Sequence, residues 1–233
     1  MRTPLLPTPF RALVIGSSGS IGSAFLELLE NNPDCAMVTG IHRHSIPSIN
    51  YEDPSSIQLA AQALSAQAPF DLIINTIGIL HSEQWMPEKK LDDLNAEQLN
   101  HLIQINTIGP ALTLKYFSKL LTPHASVMAA LSAKVGSIED NRLGGWYSYR
   151  ASKAALNMLI KTAAIEFSRT KPNTTLVALH PGTVNSRLSK PCRGEQIGRP
   201  ALDAAKDMLN VIQSLDSNDS GSFISYTGEK LPW

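Results

Sequence analysis

What most narrows the fold of this 233-residue chain is a short apolar run, Ala12 to Ile15, that breaks into Gly16-Ser-Ser-Gly19-Ser-Ile-Gly22. Ile21, Phe25, Leu28 and Leu29 then recur at helical spacing until Asn32-Pro33. The pattern reads as strand, glycine turn, helix. A second unit follows: Ala36 to Ile41 is a strand, and Asp53-Pro54 supplies an N-cap and a first-turn proline for an alanine-rich helix over 55–67. The alternation continues through strands at Leu72 to Ile74, Val127 to Leu131, Leu176 to Leu179 and Phe223 to Tyr226, and through helices over 95–121, 147–169 and 201–214. Strands that alternate with helices build a parallel sheet covered on both faces, because each right-handed crossover lays its helix on the sheet. The expected architecture is one doubly wound α/β domain over 11–233, after a proline-rich, flexible leader over 1–10. Gly109-Pro110 falls inside the helix that starts near Asn95, and the missing proline amide predicts a kink there, with the Asn106 carbonyl freed to hold a water.

Charge and composition exclude several classes. Lys and Arg number 20 against 20 Asp and Glu, and no basic run gathers the positive charge into a stripe, which disfavours nucleic-acid binding. The two cysteines, Cys35 and Cys192, are far apart and form no CxxC pair, so neither a disulfide framework nor a cysteine metal site is expected. His42 and His44 flank Arg43 without a third ligand. No apolar run is long enough to span a bilayer, and Pro4, Pro7 and Pro9 interrupt the N-terminus where a signal peptide needs an apolar helix; a cytoplasmic protein without a membrane partner is expected.

The glycines carry the first chemical signal. Between strand and helix, Gly16, Gly19 and Gly22 let the backbone approach a pyrophosphate while the helix N-terminus offers amides and the positive end of its dipole; Ser18 and Ile21 complete this turn. A tight turn with close packing is the alternative reading. Where a ribose-binding carboxylate would mark NAD, the second strand ends in Gly40-Ile-His-Arg43-His, so a guanidinium for the 2′-phosphate makes NADP the expected cofactor over NAD. Tyr149 and Lys153 are one turn apart on a helix, where an ammonium favours the ionised phenol. Tyr226 and Lys230 share that spacing but span Gly228 and are set aside. Ser132 follows a strand whose carboxyl end faces the ligand edge of such a sheet, and Asn75-Thr-Ile-Gly78 and His180-Pro181-Gly182-Thr183 arrive at the same edge. Trp85, Met86, Leu143 and Trp146 flank this crevice and suit either core or pocket wall.

Taken in order, the glycine turn, Asn75-Thr-Ile-Gly78, Asn106, Ser132, Tyr149-Arg-Ala-Ser-Lys153 and Pro181-Gly182 resemble the short-chain dehydrogenases/reductases over about residues 11 to 233. Gly78-Ile-Leu-His81, Pro87-Glu-Lys, Ile105 to Pro110, Asp140 to Tyr149 and the terminal Pro232-Trp233 are similar to the C-factor-like branch, close to sniffer-type carbonyl reductases. Two departures stand out: the glycines are spaced GxxGxxG instead of GxxxGxG, and Thr76-Ile77 replaces the common Asn-Ala, which would shift cofactor contact onto Asn75. The resemblance implies a Rossmann-type fold and a hydride-transferring oxidoreductase acting on a carbonyl or secondary alcohol. It gives Asn106, Ser132, Tyr149 and Lys153 catalytic roles, with Tyr149 and Lys153 also touching the cofactor. It further implies cofactor contacts from Asn75 and Gly78, from Asn50 and neighbouring Tyr51 at the adenine edge, and from Pro181, Gly182, Thr183, Val184 and Ser186 near the nicotinamide. A homodimer paired through helices 95–121 and 147–169 is the expected assembly. Two rival readings stay open: a nucleotide-binding signalling protein of C-factor type with little turnover, and a lyase or epimerase with bound nucleotide.

Overall fold

The computed structural model describes residues 5–190 and 194–233. Six parallel strands form one sheet: β1 (Phe10–Ile15), β2 (Cys35–Ile41), β3 (Leu72–Asn75), β4 (Ser126–Leu131), β5 (Thr174–His180) and β6 (Ser222–Ser225). Their order across the sheet is β2-β1-β3-β4-β5-β6, so the winding reverses between β1 and β3 and opens a crevice at their carboxyl ends. Helices α1 (Ser20–Glu30) and α7 (Ala201–Ser214) cover one face, while α2 (Pro54–Leu64), α3 (Ala96–Ile103), α4 (Gly109–Phe117) and α5 (Tyr147–Thr170) cover the other; α6 is a single turn (Gly194–Ile197).

Alternation along each strand explains the two layers. Phe10, Ala12 and Val14 of β1 point into the core beneath α1 and α7, whereas Leu13 and Ile15 point into the core beneath α2, α4 and α5. Strands β4 and β5 divide in the same way, with Met128, Ala130, Leu176 and Ala178 opposite Val127, Ala129, Val177 and Leu179. Both faces are therefore apolar, as a parallel sheet clad on both sides requires. The doubly wound expectation holds.

Several boundaries differ from the sequence reading. Phe10 already pairs with Cys35, and Leu6 is buried in the α1/α7 core, so Leu6 and Phe10 fasten this segment to the domain while residues 7–9 stay exposed, where the sequence suggests a free leader. Apolar side chains at 6 and 10 outweigh the prolines between them. Residues 1–4 of that leader, and Cys192, lie outside the described residues. The helix expected over 55–67 ends at Leu64 and tightens into a three-residue turn, Ser65–Gln67.

The kink expected at Gly109-Pro110 takes a specific form one turn earlier. Between α3 and α4 the helix widens over Gln104–Ile108, and the Gly109 amide bonds back five residues to the Gln104 carbonyl. Pro110 cannot donate, and a widened turn absorbs the mismatch without breaking the helix. The extra residue in that turn rotates Asn106 fully inward. At Gly109, a Cβ would come within 2.2 Å of the Tyr51 ring, so this position holds α4 against the segment that precedes α2.

Candidate active site

The carboxyl ends of β1, β3, β4 and β5 surround a cavity of about 1020 Å³. On one side lies the turn from β1 into α1. Gly16 adopts a φ of +88°, and a Cβ at Gly22 would stand 2.2 Å from the Gly16 carbonyl oxygen, so these two glycines make the turn and the close packing possible. A Cβ at Gly19 would meet only the Gly16 carbonyl oxygen, at 3.4 Å, which leaves its cavity side open for close approach. Helix α1 has no side-chain N-cap, and its first amides face the cavity where Ser18, Gly19, Ile21 and Gly22 form the wall. Such a helix end suits a pyrophosphate. Arg43, exposed just after β2, lines the same region. Thr76 ties the turn to the next strand: its hydroxyl donates to the carbonyls of Ile15 (2.9 Å) and Gly16 (3.2 Å). Its substitution for the usual asparagine thus serves the frame of the turn.

The opposite wall comes from β4 and α5. Tyr149 and Lys153 both face the cavity, and Lys153 Nζ lies 5.9 Å from the centroid of the Tyr149 ring. The ammonium donates to the Leu131 carbonyl at 3.0 Å, and burial pulls its pKa down to about 8. Gly78 leaves it room: a Cβ there would crowd it, standing 3.2 Å from Lys153 Nζ and 3.3 Å from Asn106 Oδ1. Gly136 plays the same part behind the lysine, where a Cβ would approach Lys153 Cβ to 2.7 Å. Ser132 continues β4 by donating its amide to the Leu179 carbonyl, and its hydroxyl meets Asn157 Oδ1 at 2.6 Å.

Asn106 is a clamp. Its Oδ1 accepts from the Ile79 amide (2.8 Å), and its Nδ2 donates to the Ile79 carbonyl (2.8 Å) and to Ser152 Oγ (3.0 Å). It therefore fastens the segment after β3 to α5 with its side chain, a use distinct from the expected carbonyl-bound water.

On the third side, Pro181, Gly182, Thr183, Val184 and Ser186 line the cavity after β5. Gly182 has a φ of +75° and lies under the Tyr226 ring. His180, also on the wall, accepts from the Lys134 amide through Nδ1 and has its pKa lowered to about 4 by burial and by the nearby Lys134 charge. It is a neutral, structural neighbour at ordinary pH.

Some expected contacts are not brought to the wall. Gly16 and Asn75 stand behind it, and Asn75 Oδ1 accepts from the Ile77 amide two residues on. Asn50 and Tyr51, expected at the adenine edge, depart further from the reading. Asn50 Oδ1 accepts from the Glu52 amide, and Tyr51 is buried with its hydroxyl 2.6 Å from Thr113 Oγ1, which leaves burial to push the phenol well above its ordinary pKa. The ring drives into the core because that removes a large apolar area from water. Trp146 and Leu143 do line the cavity, Trp146 meeting Tyr149 edge-on at 6.3 Å, whereas Trp85 packs beside His101.

Two partners escaped the sequence reading because they act over long separations. Asn157 is one. The other is Glu88, whose buried carboxylate accepts from the Ser148 amide (3.3 Å) and hydroxyl, while its carbonyl accepts from the Trp146 amide (2.5 Å). Trp146 starts α5 in a left-handed conformation with no capping side chain of its own, so Glu88 caps α5 from a loop 60 residues away and complements its positive end. Its only sequence signal is the Pro87-Glu-Lys motif.

Among the described residues no group of three or more His, Cys, Asp or Glu is placed to hold a metal ion, and no helix is long and apolar enough to cross a membrane.

With this geometry in place, comparison with known proteins defines the class. Residues 36–224 match the family described as enoyl-(acyl carrier protein) reductase, and the chain belongs to the short-chain dehydrogenase/reductase family of oxidoreductases. It is 31% identical over 188 residues to the 1-hydroxy-2-glutathionyl-2-methyl-3-butene dehydrogenase of Rhodococcus sp. (strain AD45), covering 80% of this chain and 79% of that one. Over 166 residues it is 33% identical to the C-signal protein of Myxococcus xanthus, covering 71% of this chain and 93% of the relative. The fold is shared with the carbonyl reductase Sniffer of D. melanogaster (TM-score 0.83, 19% identity, 97% and 100% of the two chains) and with an NADPH-bound carbonyl reductase from chicken fatty liver (TM-score 0.82, 24% identity, the same coverage). The C-factor-like resemblance is thus matched by the C-signal relative, and the sniffer-type one by a shared fold.

The buried lysine has a thermodynamic signature. In the unfolded chain Lys153 titrates near 10.5, and in the cofactor-free fold near 8, so between these values the unfolded state holds a proton that the folded state has released. Stability should rise with pH across that window, by ~3 kcal/mol at most, and the full penalty of the buried ammonium applies below pH about 8. Urea denaturation of the wild type and of Lys153→Met at the two ends of the window checks this: the rise should be smaller in the variant by the Lys153 contribution.

Proposed function

We propose that this oxidoreductase uses NADP to interconvert a carbonyl compound and the corresponding secondary or primary alcohol. The observation that carries the reading is that buried Lys153, Tyr149 and Ser132 share one cavity with the open glycine turn and Arg43. The α1 amides and Gly19 would hold the pyrophosphate, Arg43 the 2′-phosphate, and Thr183, Val184 and Ser186 the nicotinamide end. When bound, the reduced nicotinamide supplies a hydride to the carbonyl carbon. Tyr149 then gives its proton to the oxygen, which leaves as the alcohol, and Ser132 donates a hydrogen bond to that oxygen as negative charge builds. Lys153 bonds the ribose hydroxyls and supplies the positive charge that favours tyrosinate. Asn106 acts by fixing α5 against the segment after β3. The wall of Trp146, Leu143, Leu80 and Leu188 favours an apolar body on the substrate.

A second reading has a specific support in the C-signal relative: a nucleotide-binding signalling protein with little turnover. NADPH oxidation against a panel of aldehydes, ketones and quinones separates the two. A flat panel with tight NADPH binding supports signalling, or a lyase or epimerase that regenerates its nucleotide.

For the reductase, Tyr149→Phe should lower kcat by a factor on the order of 10² to 10⁴ with NADPH affinity little changed, measured by steady-state kinetics and by fluorescence titration. Near-normal turnover would remove Tyr149 from the chemistry. Arg43→Ala should weaken NADPH binding by about ten- to a hundredfold, the equivalent of roughly 1.5 to 3 kcal/mol, and leave NADH nearly unaffected. Equal losses for both cofactors would assign Arg43 to folding.

The assembly proposed is a two-fold symmetric homodimer. Helix α5 buries Leu156, Ile160, Ala164 and Phe167 against its own sheet, yet its opposite side presents Ala151, Met158, Leu159 and Ile165, with Met158 66% and Ile165 53% exposed. Apolar residues in excess of one face favour a partner, and an isologous pairing lets each copy cover the other. Light scattering at micromolar concentration should give twice 25.3 kDa; a monomer mass at every dilution would reject the dimer.

A further inference from the structure

Asn157 lies one turn beyond Lys153, in the stripe of α5 that faces the sheet, between Leu156 and Ile160. A polar side chain in such a stripe must be hydrogen-bonded to be tolerated. Its amide stands against Ser132: the serine hydroxyl donates to Asn157 Oδ1 at 2.6 Å, while Asn157 Nδ2, buried as well, has no acceptor. This orientation leaves a buried donor unused, and it spends the one proton of the serine inside the protein.

A primary amide has a second orientation that fills the same volume. Half a turn about the bond from Cβ to the amide carbon exchanges Oδ1 and Nδ2. Nδ2 then donates to Ser132 Oγ and gains its acceptor, and the serine proton is released toward the cavity that Ser132 lines. An unpartnered carbonyl oxygen takes the place of the unpartnered N–H, the better tolerated of the two when buried.

We propose that Asn157 is a positioning residue for Ser132, its amide donating to Ser132 Oγ when a carbonyl substrate is bound and so aiming the serine proton at the substrate oxygen. The inference rests on the reading of Ser132 as a donor to that oxygen. It explains why an amide, able to give as well as take, stands where packing alone would call for leucine. Asn157 touches neither substrate nor cofactor in this role.

A double-mutant cycle tests it, with NADPH and the best carbonyl substrate from the panel. Ser132→Ala should lower kcat by a factor on the order of 10² to 10³, the usual cost of losing such a donor. Asn157→Leu, similar in size and unable to hydrogen-bond, should lower kcat by about tenfold and leave the NADPH Kd within about twofold of wild type. In the Ser132→Ala background, Asn157→Leu should cost nothing further, because no hydroxyl remains to aim. A wild-type kcat for Asn157→Leu would overturn the inference, and so would the same fold loss in both backgrounds, which marks a structural role. Should Asn157→Leu fail to fold, Asn157→Ala carries the same cycle with the same outcomes. Failure of the underlying reading shows separately: Ser132→Ala alone would then keep wild-type kcat, and the role of Asn157 falls with it.

Discussion

The hydrogen bond from Lys153 Nζ to the Leu131 carbonyl is the contact around which the site is built. A buried ammonium is expensive, and its partner here is a neutral carbonyl, so the charge is only partly compensated. Its surroundings give way to it: Gly136 leaves out a side chain that would collide with the lysine stem, Gly78 one that would crowd the ammonium, and Asn106 holds the segment carrying Gly78 in place. Ser132, the residue after Leu131, is carried to the same place by the end of β4. One lysine thus fixes the relation between strand, helix and the segment after β3.

That strain is affordable because the rest of the sheet is ordinary. Both faces of the central strands are apolar and covered, the register of β1 with β2 and β3 is regular from Arg11 to Ile15, and the winding reverses where the crevice is needed. The irregular features gather at the crevice: the left-handed Trp146, the positive φ at Gly16 and Gly182, and the widened turn over Gln104–Ile108. Local rules of sequence and structure are broken at several points where chemistry is proposed, as expected of a minimally frustrated fold with a working site.

Much of this was legible in the chain because it is local. The strand, glycine turn and helix at 12–29 follow from spacing, as does the shared face of Tyr149 and Lys153, and the placing of Ser132 follows from a strand end in a parallel sheet. What was not legible depends on pairs far apart in sequence. Glu88 and Ser148, and Ser132 and Asn157, meet only once the sheet is assembled, and an acid or an amide inside a motif does not say which distant donor it will face. The direction of the Tyr51 ring is hidden for a related reason: a loop motif does not fix which way a side chain turns, and the space beside Gly109, distant in sequence, receives the ring.

The cap that Glu88 places on α5 ties two parts of the molecule that would otherwise vary independently. The segment between β3 and α3 carries part of the cavity wall, and exchanging it wholesale is the obvious route to a new substrate range. Any graft that omits a carboxylate at position 88 would also remove the anchor of the helix that carries Tyr149 and Lys153. Loop and helix are therefore mechanically one piece: a change made for the shape of the wall is also a change to the footing of α5.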